Sequence, residues 1–212
     1  MAGIASLSSV QNSPSYETYS EVEFPQDAQS VLVLALAHDE AEPELDWWDS
    51  KRGSPGNRRL ESIAKSLRQW LKEDLNSDAH LLPYHVEKGG IFLKDAAVLA
   101  GLGTIGMNNL LITPEFGPRV RLRALLLDAE LVPAAPTDFA PCAGCAMPCR
   151  SACPQEAFTS GSYRRTLCSE QMERDEANAV IVEEGQEKDL PSKYIKYCRA
   201  CELACPVGKE MT

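Results

Sequence analysis

The sequence predicts an α+β protein in two parts, a helix-flanked sheet followed by a small cysteine-rich module. Three observations carry that expectation. All eight cysteines of the 212-residue chain lie in its last third. The run Ser30 to His38 (SVLVLALAH) has the length and composition of a buried strand. Between that run and the cysteines, stretches with apolar residues at helical spacing alternate with strand-like stretches, the pattern of a layered α/β domain.

Taken in order, residues 1–28 are polar, rich in Ser, Glu and Tyr, and without sustained periodicity, so they read as a flexible N-terminal arm. After the strand at Ser30 comes an acidic loop, Asp39 to Asn57, punctuated by Pro and Gly and containing the pair Trp47-Trp48. Asn57 reads as the N-cap of a helix running to about Glu73, with Leu60, Ile63, Ala64, Leu67 and Leu71 on one face. Ala79 to Val86 is extended, and Pro83 marks it as an edge or an interruption. Ile91 to Leu102 is a helix that ends in the glycine-rich stretch GLGTIGMNN, Gly101 to Asn109. A short apolar strand, LLIT, follows, and then RVRLRALLLDAEL, where Val120, Leu122, Ala124 and Leu126 alternate with Arg121, Arg123 and Leu125. Pro133, Pro136 and Pro141 mark the passage into the last part. The expected organisation is thus an arm over 1–28, an α/β domain over 29–135 and a cysteine module over 136–212.

The cysteines fall into two runs with one residue between them. The first is Cys142-x2-Cys145-x3-Cys149-x3-Cys153-Pro154, the lone residue is Cys168, and the second is Cys198-x2-Cys201-x3-Cys205-Pro206. Eight thiolates are what two [4Fe–4S] clusters need, and both runs close in the Cys-Pro of bacterial two-cluster ferredoxins. In such modules the fourth cysteine of each run ligates the other cluster. One cluster would then take Cys142, Cys145, Cys149 and Cys205, and the other Cys153, Cys168, Cys198 and Cys201. The first run has three residues rather than two between Cys145 and Cys149, with Pro148 in the longer stretch, so its loop is expected to be remodelled. Structural zinc and a disulfide framework are the competing readings. Zinc ribbons usually show two clean C-x2-C pairs without the x3-Cys-Pro tails present here, and a disulfide framework is typical of short secreted chains.

The formal net charge is −10 and the sequence pI about 4.9. Such a balance disfavours nucleic acid as a bulk electrostatic partner. No run of about 18 apolar residues is present to span a membrane. The N-terminal stretch has no basic region leading into an apolar core, and with reduced cysteines the expected location is cytoplasmic.

With the cysteines placed, Gly101-Leu102-Gly103-Thr104-Ile105-Gly106-Met107-Asn108-Asn109 resembles the A-G-L-G-W-I-G-K-N stretch of the epoxyqueuosine reductase family. There too it precedes a two-cluster module with a lone cysteine between the runs, as Cys168 is here. The resemblance covers roughly residues 30–208 and marks the chain as a short, divergent member, related also to reductive dehalogenases. It implies a nitroreductase-like α/β domain that binds cobalamin, followed by a ferredoxin-like 2[4Fe–4S] domain that feeds it electrons. It also implies that Gly101, Gly103, Thr104, Ile105, Gly106, Asn108 and Asn109 lie at the cofactor. Thr104 and Met107 stand where the family has Trp and Lys. The acidic proton donor of the family aligns with Glu87, although the Pro and Glu that follow it there are absent. Action on transfer RNA is not expected of so acidic a chain.

Each of these residues has a plainer reading. Glu87 suits a turn acid in VEKGG, and the glycine stretch suits close approach to either a flat ligand or a neighbouring strand. Gly101 to Gly106 matches a dinucleotide fingerprint in letters only, since it follows a helix rather than a strand. His38 and His85 would ligate cobalt or simply end strands. Trp47 and Trp48 would form a lid or an anchor. Arg119, Arg121 and Arg123 share one strand face, turned either to a cofactor's anions or to solvent. The acidic stretch Glu170 to Asp189 reads as a solvated insertion.

The expected function is that of an iron–sulfur oxidoreductase passing low-potential electrons to a bound corrinoid for reduction of a small molecule, with Glu87 as proton donor. A ferredoxin- or flavodoxin-type donor would supply the electrons. The rival expectation is an electron-transfer protein or corrinoid-reducing activator that docks on a partner enzyme and has no chemistry of its own.

Overall fold

The computed structural model describes residues 1–17, 23–135, 137–159, 161–182 and 192–209. Its centre is a four-stranded antiparallel sheet in the order Ala2–Ser6, Ser30–Ala37, Val120–Leu127, Ala79–Leu81, covered by helices on both faces.

The chain begins in the sheet. Strand β1 (Ala2–Ser6) pairs antiparallel with β2 (Ser30–Ala37), and the terminal ammonium donates to the Ala35 carbonyl at 2.9 Å. Helix α1 (Leu7–Gln11), capped by the Ser6 hydroxyl, and helix α2 (Pro14–Glu17) follow before β2. Ala5 and Val10 are fully buried. The flexible arm expected over 1–28 is therefore corrected for residues 1–17. These side chains are small rather than greasy, and small residues let an edge strand lie close under a helix. Residues 18–22 lie outside the described residues.

Residues of β2 alternate between two cores. Val31, Val33 and Ala35 face one side, and Leu34 with Leu32 and Leu36 the other, which is why the strand reads as a continuous apolar run. Beyond it a 3-10 turn (Pro43–Asp46) leads to the two-residue strand β3 (Trp48–Asp49). Helix α3 (Pro55–Leu75) is capped by Ser54, whose hydroxyl accepts from the Asn57 amide at 3.2 Å, with Pro55 at its first position. The cap is three residues earlier than Asn57. Leu60, Ala64 and Leu71 bury one stripe of the helix against the sheet, and Asn76 closes it in the left-handed conformation.

Strand β4 (Ala79–Leu81) ends before Pro83 and forms the edge beside Val120–Leu127. Helix α4 (Leu93–Leu99) fills the first core with Ala96 and Ala97. The hairpin β5 (Thr104–Ile105) and β6 (Leu111–Ile112) carries the glycine-rich stretch, and β7 (Val120–Leu127) returns through the middle of the sheet. In β7, Val120, Leu122, Ala124 and Leu126 face the α4 side, whereas Leu125 and Leu127 face α3. Full burial on both faces is worth ~1.5–3 kcal/mol for each such side chain.

The cysteine module is built from short pieces: α5 (Pro148–Ser151), α6 (Arg165–Ala177), β8 (Val180–Val182), β9 (Ser192–Ile195) and α7 (Ala200–Leu203). Strand β9 pairs with β8 on one side and with β3 of the acidic loop on the other, so one small sheet joins the two parts of the chain. Among the described residues no helix is long and apolar enough to cross a membrane.

Candidate iron–sulfur site and its seam with the sheet

The longer spacing before Cys149 is absorbed in one place. Met147 adopts a left-handed backbone (φ 55°) and Pro148 starts α5, which turns the chain so that Cys149 is buried. Helices α5 and α7 pack together, and this brings the end of each cysteine run to the start of the other. Burial pushes the Cys149 thiol up, and Cys205, Cys142 and Cys145 push it further. Burial likewise raises the Cys201 thiol, to about 12, with Cys198, Cys153 and Cys168 as its thiol neighbours. Burial raises Cys198 as well, with Cys153 and Cys168 again beside it. The eight thiols thus lie in two quartets, Cys142, Cys145, Cys149, Cys205 and Cys153, Cys168, Cys198, Cys201, each drawing its members from both runs or from α6.

Four crowded thiols whose anions repel one another suit a cationic core, and binding one would release their protons. Backbone amides already point at the sulfurs: Met107 N lies 3.5 Å from Cys142 Sγ, Met147 N 3.4 Å from Cys145 Sγ and Ala157 N 3.3 Å from Cys153 Sγ. Such N–H donors are the usual company of cluster ligands. Among the described residues no group of three or more His, Cys, Asp or Glu side chains is placed to hold a single metal ion. In a four-iron core each thiolate binds a different iron, so its ligands stand farther apart. The donor set fits two such cores.

The glycine-rich stretch lies against the first quartet, through the Met107 amide on Cys142. Its glycines serve internal packing. A Cβ on Gly103 would sit 2.1 Å from the Ile112 carbonyl oxygen, and one on Gly106 would strike the Ile112 side chain at 2.2 Å. The neighbouring strand is what they approach. What the hairpin turns outward is apolar, with Ile105 and Met107 exposed beside the cysteine. Asn108 is buried, and its Nδ2 has no hydrogen-bond partner. Asn109 takes the left-handed conformation and its carbonyl accepts from Lys94 Nζ at 2.7 Å. An apolar edge with a spare amide donor fits a corrin, which combines an apolar rim with peripheral amides. Gly101, Gly103 and Gly106 would stand one layer behind it.

The arginine stripe has a different role from either reading of the sequence. Arg119 donates to the carbonyl oxygens of Cys205 (3.3 Å) and Val207 (2.7 Å) and pairs with Glu40. Arg121 pairs with Asp46, which also pairs with Arg199. Arg199 in turn holds Glu202 at 2.6 Å, and His38 Nδ1 lies 2.9 Å from the same carboxylate. Burial lowers the pKa of His38, with Glu202 opposing the shift, and burial takes Arg121 down to about 10. Arg123 lies over the Tyr84 ring at 5.0 Å and lines a cavity of about 280 Å³ with Glu61, Leu81 and Pro83. That cavity is too small for a corrin, and its lining includes no cysteine.

This seam between the sheet and the cysteine module went unread in the sequence, apart from the alternation of the arginines. The Arg199 and Glu202 beside Cys198 and Cys201 were its only further signal. Trp47 and Trp48 belong to the same seam: Lys196 sits 4.0 Å above the Trp47 ring, and Trp48 packs edge-on to Tyr197. They anchor. Gly208 closes the seam, since a Cβ there would lie 2.3 Å from Gly117 N. In the acidic stretch, Asp175 accepts from the Cys198 amide at 2.7 Å and Glu176 from the Tyr197 hydroxyl at 2.8 Å, so these two acids hold the second run. Residues 183–189 of that stretch lie outside the described residues. Glu87 is exposed in a 3-10 turn (Val86–Lys88), and His85, just before it, is exposed too.

The sheet unit is thus clasped to an eight-cysteine module, and comparison with known proteins finds relatives of this arrangement. The chain is a divergent homologue of epoxyqueuosine reductase. It is 26% identical over 199 residues to the enzyme of Lactococcus garvieae, covering 87% of this chain and 53% of that one. It is 43% identical over 125 residues to a tetrachloroethene reductive dehalogenase of Sulfurospirillum multivorans, over 53% of this chain and 23% of that one. Among solved structures, the epoxyqueuosine reductase of Streptococcus thermophilus superposes on 98% of the chain with a TM-score of 0.61 at 16% identity, using 62% of its own length. A catabolic reductive dehalogenase solved with a brominated hydroxybenzoic acid superposes on 100% of the chain with a TM-score of 0.67 at 16% identity, using 30% of its length. The chain therefore has the fold of these reductases and spans about half the length of the epoxyqueuosine reductase relative. No protein-family model matches it.

Proposed function

We propose that the chain is an iron–sulfur oxidoreductase, a nitroreductase-like α/β domain joined to a ferredoxin-like domain with two [4Fe–4S] clusters. One cluster is held by Cys142, Cys145, Cys149 and Cys205, the other by Cys153, Cys168, Cys198 and Cys201. The single observation that carries this reading is the assembly of two thiol quartets across the two runs, one of them in contact with the glycine-rich hairpin. Electrons from a ferredoxin- or flavodoxin-type donor would pass through the module toward that hairpin.

The acceptor is a corrinoid packed on Thr104, Ile105 and Met107, with Asn108 offering its unpartnered amide and Asn109 shaping the turn. When bound, reduced cobalt supplies a strong nucleophile or electron donor toward a small-molecule substrate. Gly103 and Gly106 let the hairpin lie close against Ile112 of β6, and Gly101, in the left-handed conformation, approaches the Ala135 carbonyl, so that the outward side chains stay in place. Glu87 is the proposed proton donor, reaching the substrate from its exposed turn. The cytoplasm, where cluster cysteines stay reduced, is the proposed location.

A second reading, an electron-transfer protein or activator that reduces a corrinoid held by a partner enzyme, is favoured by one feature. Ile105, Met107 and Glu87 are all exposed, as a docking face would be. Titration of the anaerobically reconstituted chain with cob(II)alamin, followed by EPR, separates the two. We expect a base-off cobalt signal for a bound corrinoid. Absence of binding at high micromolar cobalamin would leave only the docking reading.

A further inference from the structure

We infer that the buried Arg119 makes the cluster of Cys142, Cys145, Cys149 and Cys205 the easier of the two to reduce, so that electrons run from the second quartet toward the glycine-rich hairpin. The inference rests on the two-cluster reading above. The reduction potential of a cluster follows the charge and hydrogen bonds around it, because reduction adds one negative charge.

The surroundings of the two quartets differ in sign. Beside the first, the Arg119 side chain is only 5% exposed and grips the carbonyls of the ligand Cys205 and of Val207. Its carboxylate partner, Glu40, is 52% exposed, so water screens the anion far more than the cation. Two amides, of Met107 and Met147, point at Cys142 and Cys145. Beside the second quartet the carboxylates of Asp175 and Glu176 stand close, and Arg165, which reaches Tyr163 beside Cys168, is a cation on that side. Asp175 accepts from the Cys198 amide and from Gln171, and Glu176 from the Tyr197 hydroxyl, partners that carry no charge. Glu202 is matched by Arg199 and adds little. The amides of Ala157 and Ala200 face the sulfurs of Cys153 and Cys198, and the Tyr163 hydroxyl meets that of Cys168.

Burial of Cys149 and Cys205 works against reduction of the first cluster, since dehydration disfavours added charge. A cation in the same dry environment acts most strongly there, and Arg119 opposes that penalty. One electron passes from the reduced second cluster to the oxidised first, with no bond made or broken. A low-potential one-electron donor reloads the second cluster.

The test is an EPR-monitored redox titration of the reconstituted full chain, with dithionite as reductant. Two midpoints are expected, and the higher should vanish in C142S. Arg119→Gln should lower that midpoint and Arg119→Lys, which keeps the charge, should hold it. Glu40→Gln, a surface change that leaves the cation less neutralised, should raise it. Asp175→Asn should raise the lower midpoint alone. A shift equivalent to about tenfold in the electron-transfer equilibrium is 59 mV for one electron. The inference is overturned if the higher midpoint survives C142S, or if Glu40→Gln and Arg119→Gln leave both midpoints in place. The surface variant decides the matter should Arg119→Gln fail to fold. A chain that loads one cluster or none overturns the two-cluster reading itself, and iron content reports that separately.

Discussion

Replacing Cys205 with serine should remove the proposed cluster whose other three ligands lie more than fifty residues earlier in the chain. Iron should fall from about eight to about four per chain, with the second quartet still loaded. The same half should be lost in C142S, and the opposite half in C153S, although Cys153 closes the first run. The reason is spatial. Helices α5 and α7 pack together, and Cys205 faces Cys142 and Cys145 rather than the thiols of its own run. Ligation run by run would give the reverse pattern, with C205S and C198S emptying the same cluster. Iron and sulfide analysis of the four variants, reconstituted side by side, distinguishes the two.

The second large effect belongs to the seam. Asp46→Ala should destabilise the protein by about 3–5 kcal/mol, because it leaves Arg121 and Arg199 buried without their shared carboxylate. Asp46 comes from the 3-10 turn of the acidic loop, Arg121 from the central strand and Arg199 from the cysteine module, so three separated segments lose one tie. Anaerobic denaturant unfolding checks the magnitude. A loss below about 1 kcal/mol, the range of exposed ion pairs, would show that the network is not dry. Asp46→Asn, which keeps shape and hydrogen-bonding capacity, should fall between the variant and the parent.

The parts of the fold that were legible in the sequence are those fixed by periodicity. Strand β2 and helix α3 stand out because each buries apolar residues at its own period, and β7 because one of its faces does so. The N-terminal strand was missed because Ala2 to Ser6 is small and weakly apolar, and its burial depends on α4 lying over it. The helix cap was placed at Asn57 instead of Ser54 because both are capping residues, and only the fit of Pro55 at the first turn separates them.

For the site, the cysteines stand out in the sequence as a pattern of count and spacing, and the ligand set read from it is what the proposed function rests on. The residues that surround them do not stand out. Asp46, Arg121, Arg199 and Glu202 meet from distant segments, as Arg119 meets the Cys205 and Val207 carbonyls, and no local period marks contacts between residues so far apart in the chain. The glycines were read correctly as sites of close approach, but the sequence left open what approaches them, and it is Ile112. Glu87 was singled out by alignment alone, and the structure sets it in an exposed turn.

The central claim is that the eight cysteines hold two four-iron clusters close together. Iron, acid-labile sulfide and EPR of the anaerobically reconstituted, dithionite-reduced chain test it in one preparation. About eight irons and eight sulfides per chain, with the broadened spectrum of two spin-coupled reduced clusters, are the predicted result. About four irons with a single simple signal, or zinc retained in place of iron, would contradict it.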